Sequence, residues 1–224
     1  GKKEQEEDRY QKAIDLYLKA TMYDPNHYQA FCNMGTCYRA LKKFKESRKY
    51  YKRAIGIKPD DQISRYNLGN VERILGNFEE SIVHYSYVAD LKEKKGVDVG
   101  PLYLSVLINM GISYKNKDLF EKANECYEKV IKLSPGDESA YFNYGMCIVG
   151  SLSETDSEVF HEVTKEEAER ASKLFLKVRE LNKESQMAEF QLLRMSVLKD
   201  SCKENVEKCC SGEMIRLLFE QKSI

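Results

Sequence analysis

The chain has 224 residues, with 36 Lys plus Arg balanced by 36 Asp plus Glu, so the net charge is zero. That balance argues against general binding to nucleic acid or to anionic membranes. With 42% hydrophobic and 32% charged residues the chain can build a core, yet no window nears the ~18 apolar residues of a transmembrane helix.

No apolar segment follows the lysines of Gly1-Lys2-Lys3-Glu4, so no secretory signal is visible. The 7 cysteines are odd in number and lack framework spacing. They predict reduced thiols and an intracellular, cytoplasmic setting. Only 4 prolines interrupt a sequence rich in Lys, Glu, Leu and Ala, which favours helices over strands.

In chain order, the first apolar pattern is Ala13, Tyr17 and Ala20, closed by Pro25. The second is Phe31, Met34, Gly35 and Tyr38, at i, i+3, i+4 and i+7 on one helix face, followed by Ser47, Tyr51, Ala54 and Pro59. The third has Leu68, Gly69, Ser81, Tyr85 and Val88, but Glu72 stands in place of the tyrosine and Glu93 in place of the proline. The fourth is complete: Leu107, Met110, Gly111 and Tyr114, then Ala123, Tyr127, Val130 and Pro135. The fifth opens with Tyr141, Tyr144 and Gly145 and, after 14 extra residues, resumes at Ala171, Phe175, Val178 and Leu181. Insertions are placed near 96–103 and at 149–166, with helix resuming near Thr164, whose spacing to Glu167 suits a capping box. In the second insertion, Ser153 and Thr155 match acid-directed phosphorylation, a match common by chance. A helix over 186–199, carrying Phe190, Leu193, Val197 and Leu198, is expected to cover the end of the last repeat. A turn from Cys202 to Ser211 and a short apolar helix around Met214–Gln221 complete the chain.

Gly1, Gly35, Gly69, Gly111 and Gly145 are separated by 34, 34, 42 and 34 residues, and Pro25, Pro59 and Pro135 each follow one of them by 24. This period and pattern resemble the tetratricopeptide repeat, a helix–turn–helix unit. The resemblance covers residues 1–183 and implies an all-α right-handed superhelix of about four and a half repeats, with capping helices over 184–224. A mid-helix glycine costs about 1 kcal/mol against alanine and is kept where a paired helix must approach closely. The small residues Ala13, Ser47, Ser81, Ala123 and Ala171 fit that approach, and the aromatic four positions later fills the space above. Gly1 holds the mid-helix position, which predicts a piece of a longer array; the alternative makes residues 1–7 an ordinary capping turn.

Asn33, Asn67, Asn109 and Asn143 each lie two residues before a repeat glycine. First helices of stacked repeats line a concave groove, so the four carboxamides are expected to form a ladder along it. Each offers a donor and an acceptor and can hold an extended peptide backbone without reading its sequence. Gln29, Thr36, Asn70, Ser105 and Ser139 are expected beside them. The set resembles the asparagine ladder of the O-linked N-acetylglucosamine transferase superhelix, with Asn67-Leu68-Gly69-Asn70-Val71 the best match. Asparagine is also common at this position in the family at large, so peptide binding and simple inheritance both stand. The carboxylate clamp of chaperone-tail cochaperones does not fit: Cys32 and Thr36 replace its Lys and Asn, and Ser105 and Asn109 replace its Lys and Arg.

Nine basic residues and one acid, Glu46, lie between Arg39 and Lys58. This segment, around Lys42 to Arg53, is expected on the convex side as a solvated face or a docking surface for an acidic partner. His27, His84 and His161 lack motif neighbours, and Cys202, Cys209 and Cys210 lack zinc spacing, so no catalytic site, metal or cofactor is expected. The sequence reads as a non-catalytic scaffold that holds a peptide or partner subunit. Its alternatives are the substrate-recruiting arm of a larger enzyme and a structural subunit of a ciliary or cytoskeletal assembly.

Overall fold

The computed structural model describes residues 2–94, 96, 101–150 and 165–201. Ser153, Thr155, Thr164, Cys202–Ser211 and the short helix expected at Met214–Gln221 lie outside the described residues. Within them the elements are α1 (Lys2–Tyr23), α2 (Tyr28–Ala40), α3 (Phe44–Ile57), α4 (Gln62–Ile74), α5 (Phe78–Glu93), α6 (Leu102–Lys115), α7 (Phe120–Leu133), α8 (Glu138–Gly150), α9 (Lys165–Leu181) and α10 (Gln186–Ser201). The described residues hold no strand. The architecture is the all-α array of helical hairpins expected from the 34-residue period. The chain divides into two compact units, Gly1–Val130 and Ile131–Ile224.

In the first unit, α2 pairs with α3 and α4 with α5. One contact recurs. A Cβ placed on Gly35 would lie 2.8 Å from the Tyr51 ring, on Gly69 2.7 Å from Tyr85, and on Gly111 2.7 Å from Tyr127. Each second helix thus drives an aromatic ring into the gap left by a first-helix glycine. The small residue one turn earlier makes room: Ser47, Ser81 and Ala123 are fully buried. Ser47 Oγ also donates to the Gly35 carbonyl at 2.7 Å, tying the two helices at the point of approach. Second helices then pack on the next first helix, as where Tyr51 and Ala54 meet Leu68 and Val71.

The turns inside these repeats share one device. Lys42, Gly76 and Asp118 adopt φ of 57°, 81° and 57°. The following amide of Lys43, Asn77 or Leu119 donates to the carbonyl of Tyr38, Glu72 or Tyr114 at 2.9–3.0 Å. This left-handed closure ends the first helix and points the chain back along it. The repeat register places the same turn at Asp8, yet α1 runs unbroken from Lys2 to Tyr23. No glycine or proline occurs in that stretch, so nothing local stops the helix. Neither the capping turn over residues 1–7 nor a break at the repeat boundary is observed.

The two departures of the third repeat each have a structural use. Glu72 is only 1% exposed, lies 3.6 Å from Arg48 and 3.8 Å from Lys52, and accepts from Asn77 Nδ2 at 2.7 Å. A buried carboxylate is strongly destabilising without such partners. It therefore locks α3 of one repeat to α4 of the next. Where Pro59 and Pro135 follow second helices of 14 residues, Glu93 lets α5 extend to 16. Glu93 then accepts from the Tyr103 hydroxyl and from Lys129 Nζ, the latter at 3.0 Å. It pins the far side of the first insertion, whose final residues Leu102 and Tyr103 already belong to α6.

In the second unit, a Cβ placed on Gly145 would lie 2.7 Å from the Phe175 ring, so the recurring contact survives the 149–166 insertion. Val149 and Gly150 still belong to α8, and α9 begins at Lys165. Asn182 Nδ2 donates to the Glu138 carboxylate at 3.1 and 3.2 Å, closing the end of α9 on the start of α8. α10 packs on α9 and buries Ala188, Gln191 and Met195, while Phe190 stays 36% exposed.

Two predictions follow from this packing. Gly69→Ala forces a Cβ into the Tyr85 ring and lowers stability by about 1–3 kcal/mol, despite alanine's higher helix propensity. Gly56→Ala, in α3 with nothing within 4 Å of its added Cβ, raises stability by up to about 1 kcal/mol. Urea midpoints of the two variants should move in opposite directions. Secondly, Lys52→Glu sets a like charge beside buried Glu72 and lowers the melting temperature by a few degrees, on the order of 1 kcal/mol. Lys45→Glu, on the same helix but exposed and without an ion pair among the described residues, leaves it unchanged.

Candidate ligand-binding faces

The expected ladder residues lie on first helices, but the structure gives them different work. Asn33 is exposed and Asn67 half-buried, and neither carboxamide hydrogen-bonds another described residue. Asn109 Nδ2 instead donates to the Tyr66 hydroxyl of the preceding repeat at 3.0 Å. In the second unit, Asn143 Nδ2 donates to the Ser139 carbonyl one turn back at 2.8 Å. Gln29 and Ser139 are exposed and Ser105 is half-buried.

Thr36 and Asn70 follow the glycines directly, and both serve the inserted ring. Thr36 donates to the Cys32 carbonyl at 3.2 Å and meets the Tyr51 hydroxyl at 3.0 Å. Asn70 Oδ1 accepts from the Tyr85 hydroxyl at 2.7 Å. Burial raises the Tyr51 phenol and pushes that of Tyr85 well above its usual range, so both remain neutral donors. These two residues have a structural task, although they were expected beside the ladder. The sequence could not separate the tasks, because one helix turn carries both.

Another set was missed. Arg39, Arg73 and Lys115 each lie four residues after a repeat glycine. All three are half-buried. None forms an ion pair among the described residues, and the Nε atoms of Arg39 and Arg73 are buried without a hydrogen-bond partner. The 34 and 42 spacing that revealed the asparagines would have revealed these cations too.

The basic segment also resolves into parts. Arg48 and Lys52 serve Glu72, and Lys58 donates to the Tyr28 hydroxyl at 3.2 Å. Lys42, Lys43, Lys45, Lys49 and Arg53 remain exposed. An open cleft at this face is lined by Phe31, Lys49, Tyr50, Lys52 and Arg53.

Burial pushes the Cys126 thiol up to about 12 and also raises Cys32 and Cys37. Raised, buried thiols are poor nucleophiles. His84 is lowered, first by burial and then by Arg65, so it sits neutral beside the Glu72 cluster. Among the described residues no three His, Cys, Asp or Glu side chains are grouped to hold a metal ion. No helix among them is long and apolar enough to cross a membrane.

Residues 28–61 and 104–137 each match the family model of the tetratricopeptide repeat. The protein O-mannosyl-transferase TMTC3 of Mus musculus is 22% identical over 143 residues, which are 61% of this chain but 16% of that protein. Among solved structures, PilW, a type IV pilus biogenesis factor, superposes with a TM-score of 0.68 at 16% identity, over 87% of this chain and 80% of that one. MamA gives 0.64 at 21% identity over 82% and 88%. YrrB, described as a TPR protein with an unusual peptide-binding site, gives 0.62 at 14% identity over 93% and 98%. At these identities the neighbours establish the fold. Two stretches of the chain thus match the tetratricopeptide repeat, and the fold around them is the all-α repeat fold of these neighbours.

Proposed function

We propose that the chain is a non-catalytic interaction scaffold whose first-helix face, on α2, α4 and α6, holds an extended segment of a partner protein. The observation that carries this reading is the pair of unengaged carboxamides, Asn33 and Asn67, at equivalent positions of successive repeats. A carboxamide satisfies both a peptide N–H and a peptide C=O. Arg39, Arg73 and Lys115 lie on the same helices without carboxylate partners and favour acidic side chains in that segment. The unusual peptide-binding site named for YrrB, on the same fold, is in keeping with this use.

The basic face of α3 is a second surface, suited to an acidic partner, and the cleft at Phe31 and Tyr50 favours it. The alternative role, a substrate-recruiting arm of a larger enzyme, draws on the likeness to TMTC3, of which the match spans 16%. A structural subunit of a ciliary or cytoskeletal assembly is the remaining alternative; there the chain would pack through its second-helix faces.

Affinity capture with the intact chain, followed by mass spectrometry, identifies the partner. Asn33→Ala with Asn67→Ala then removes up to about four hydrogen bonds worth roughly 0.5–1.5 kcal/mol each, and binding should weaken at least tenfold by calorimetry. The circular dichroism spectrum should not change, since neither carboxamide hydrogen-bonds another described residue. Unaltered affinity in the double variant would remove the first-helix face as the binding site.

A further inference from the structure

The cleft on α2 and α3 is built from rings and cations. Tyr50 lies parallel to Tyr38, with centroids 5.1 Å apart and planes 2° apart, and nearly parallel to Phe31 at 6.4 Å and 16°. The three rings form a shelf whose inner side packs on Ile14, Met34 and Cys37. Two cations lie over these rings: the Arg53 guanidinium 5.5 Å from the Phe31 centroid and Lys49 Nζ 6.0 Å from that of Tyr50. Lys52 lines the same cleft but is already committed to Glu72 at 3.8 Å. Lys42, Lys43 and Lys45 extend the positive field along the turn and the start of α3, and Glu46 is the one acid within that stretch of sequence.

Two features constrain an occupant. Phe31 and Tyr50 line the open cleft together with Lys49, Lys52 and Arg53, so its apolar lining favours an aromatic side chain. The unpaired cations at the rim exclude a basic partner and attract an acidic one. We infer that this cleft binds an acidic segment of a partner protein that lays one aromatic side chain across Phe31 and Tyr50 while its carboxylates pair with Lys45, Lys49 and Arg53. The inference rests on the basic-face reading above and adds the aromatic anchor to it. It does not depend on the first-helix face. The charges set the approach and its salt dependence, and the ring contact selects among acidic segments.

The test uses the full 224-residue chain and fluorescence anisotropy. The probes are a short labelled polyglutamate peptide with one central phenylalanine, its all-glutamate counterpart and a labelled oligothymidylate. The phenylalanine peptide should bind at low salt, at least about threefold tighter than the all-glutamate peptide, as one aromatic contact provides. Lys49→Glu with Arg53→Glu should weaken it about tenfold or more with an unchanged circular dichroism spectrum. Asn33→Ala with Asn67→Ala should bind it as the wild type does. Equal binding of the two peptides would remove the aromatic anchor and leave the acidic-face reading intact. Absence of binding, or undiminished binding by the charge-reversed variant, would overturn both. Tighter binding of the oligothymidylate through Lys49 and Arg53 would assign the cleft to nucleic acid instead.

Discussion

The fold depends on a contact in which a glycine on one helix admits an aromatic ring from the next. Gly35 with Tyr51, Gly69 with Tyr85, Gly111 with Tyr127 and Gly145 with Phe175 all place the ring where a Cβ would stand, at 2.7–2.8 Å. The glycine weakens its own helix, and the ring's burial offsets that loss because the paired helix comes close enough to exclude water. Every other regular feature follows from that approach. The residue one turn before the ring must be small, and the chain must reverse within a few residues through a left-handed turn. The next repeat must cover the flank that the pair leaves exposed.

The polar groups that come with this packing are handled locally. The Tyr51 and Tyr85 hydroxyls meet Thr36 and Asn70, the residues directly after the admitting glycines. Ser47 turns its hydroxyl onto the glycine carbonyl. A ring inserted between helices therefore brings a hydroxyl that must be paired, and the helix that admits the ring supplies the partner. This limits how many first-helix polar side chains remain available to a ligand. Asn33 and Asn67 hydrogen-bond no other described residue, whereas Thr36, Asn70 and Asn109 each pair with a tyrosine hydroxyl.

The third repeat joins its neighbours by charge where the others use rings and prolines. Glu72 takes a tyrosine position and pairs with Arg48 and Lys52 of α3, so a basic run of the sequence is partly consumed in holding two repeats together. Glu93 takes a proline position, lengthens α5 and fastens Tyr103 and Lys129. Of the exposed cations that remain, Lys49 and Arg53 lie over the Tyr50 and Phe31 rings.

The sequence by itself determined the repeat, its period and the residues of the close contact, because a glycine, a small residue and an aromatic at fixed offsets are needed wherever two helices meet this closely. It also determined that positions 33, 67, 109 and 143 share one register, since the 34-residue spacing repeats the helix phase. It did not determine which of those carboxamides are free, because hydrogen bonds such as Asn109 to Tyr66 run between repeats, 43 positions apart. It counted nine cations on one segment but could not separate the two that face a carboxylate from the five left exposed, since Glu72 belongs to the following repeat. The unbroken α1 was equally out of reach: repeat register predicts a turn at Asp8, and only helix-forming residues with no chain-breaker among them oppose it. Helix phase is a local property that the sequence carries directly, whereas the pairing of polar groups is settled when neighbouring repeats meet.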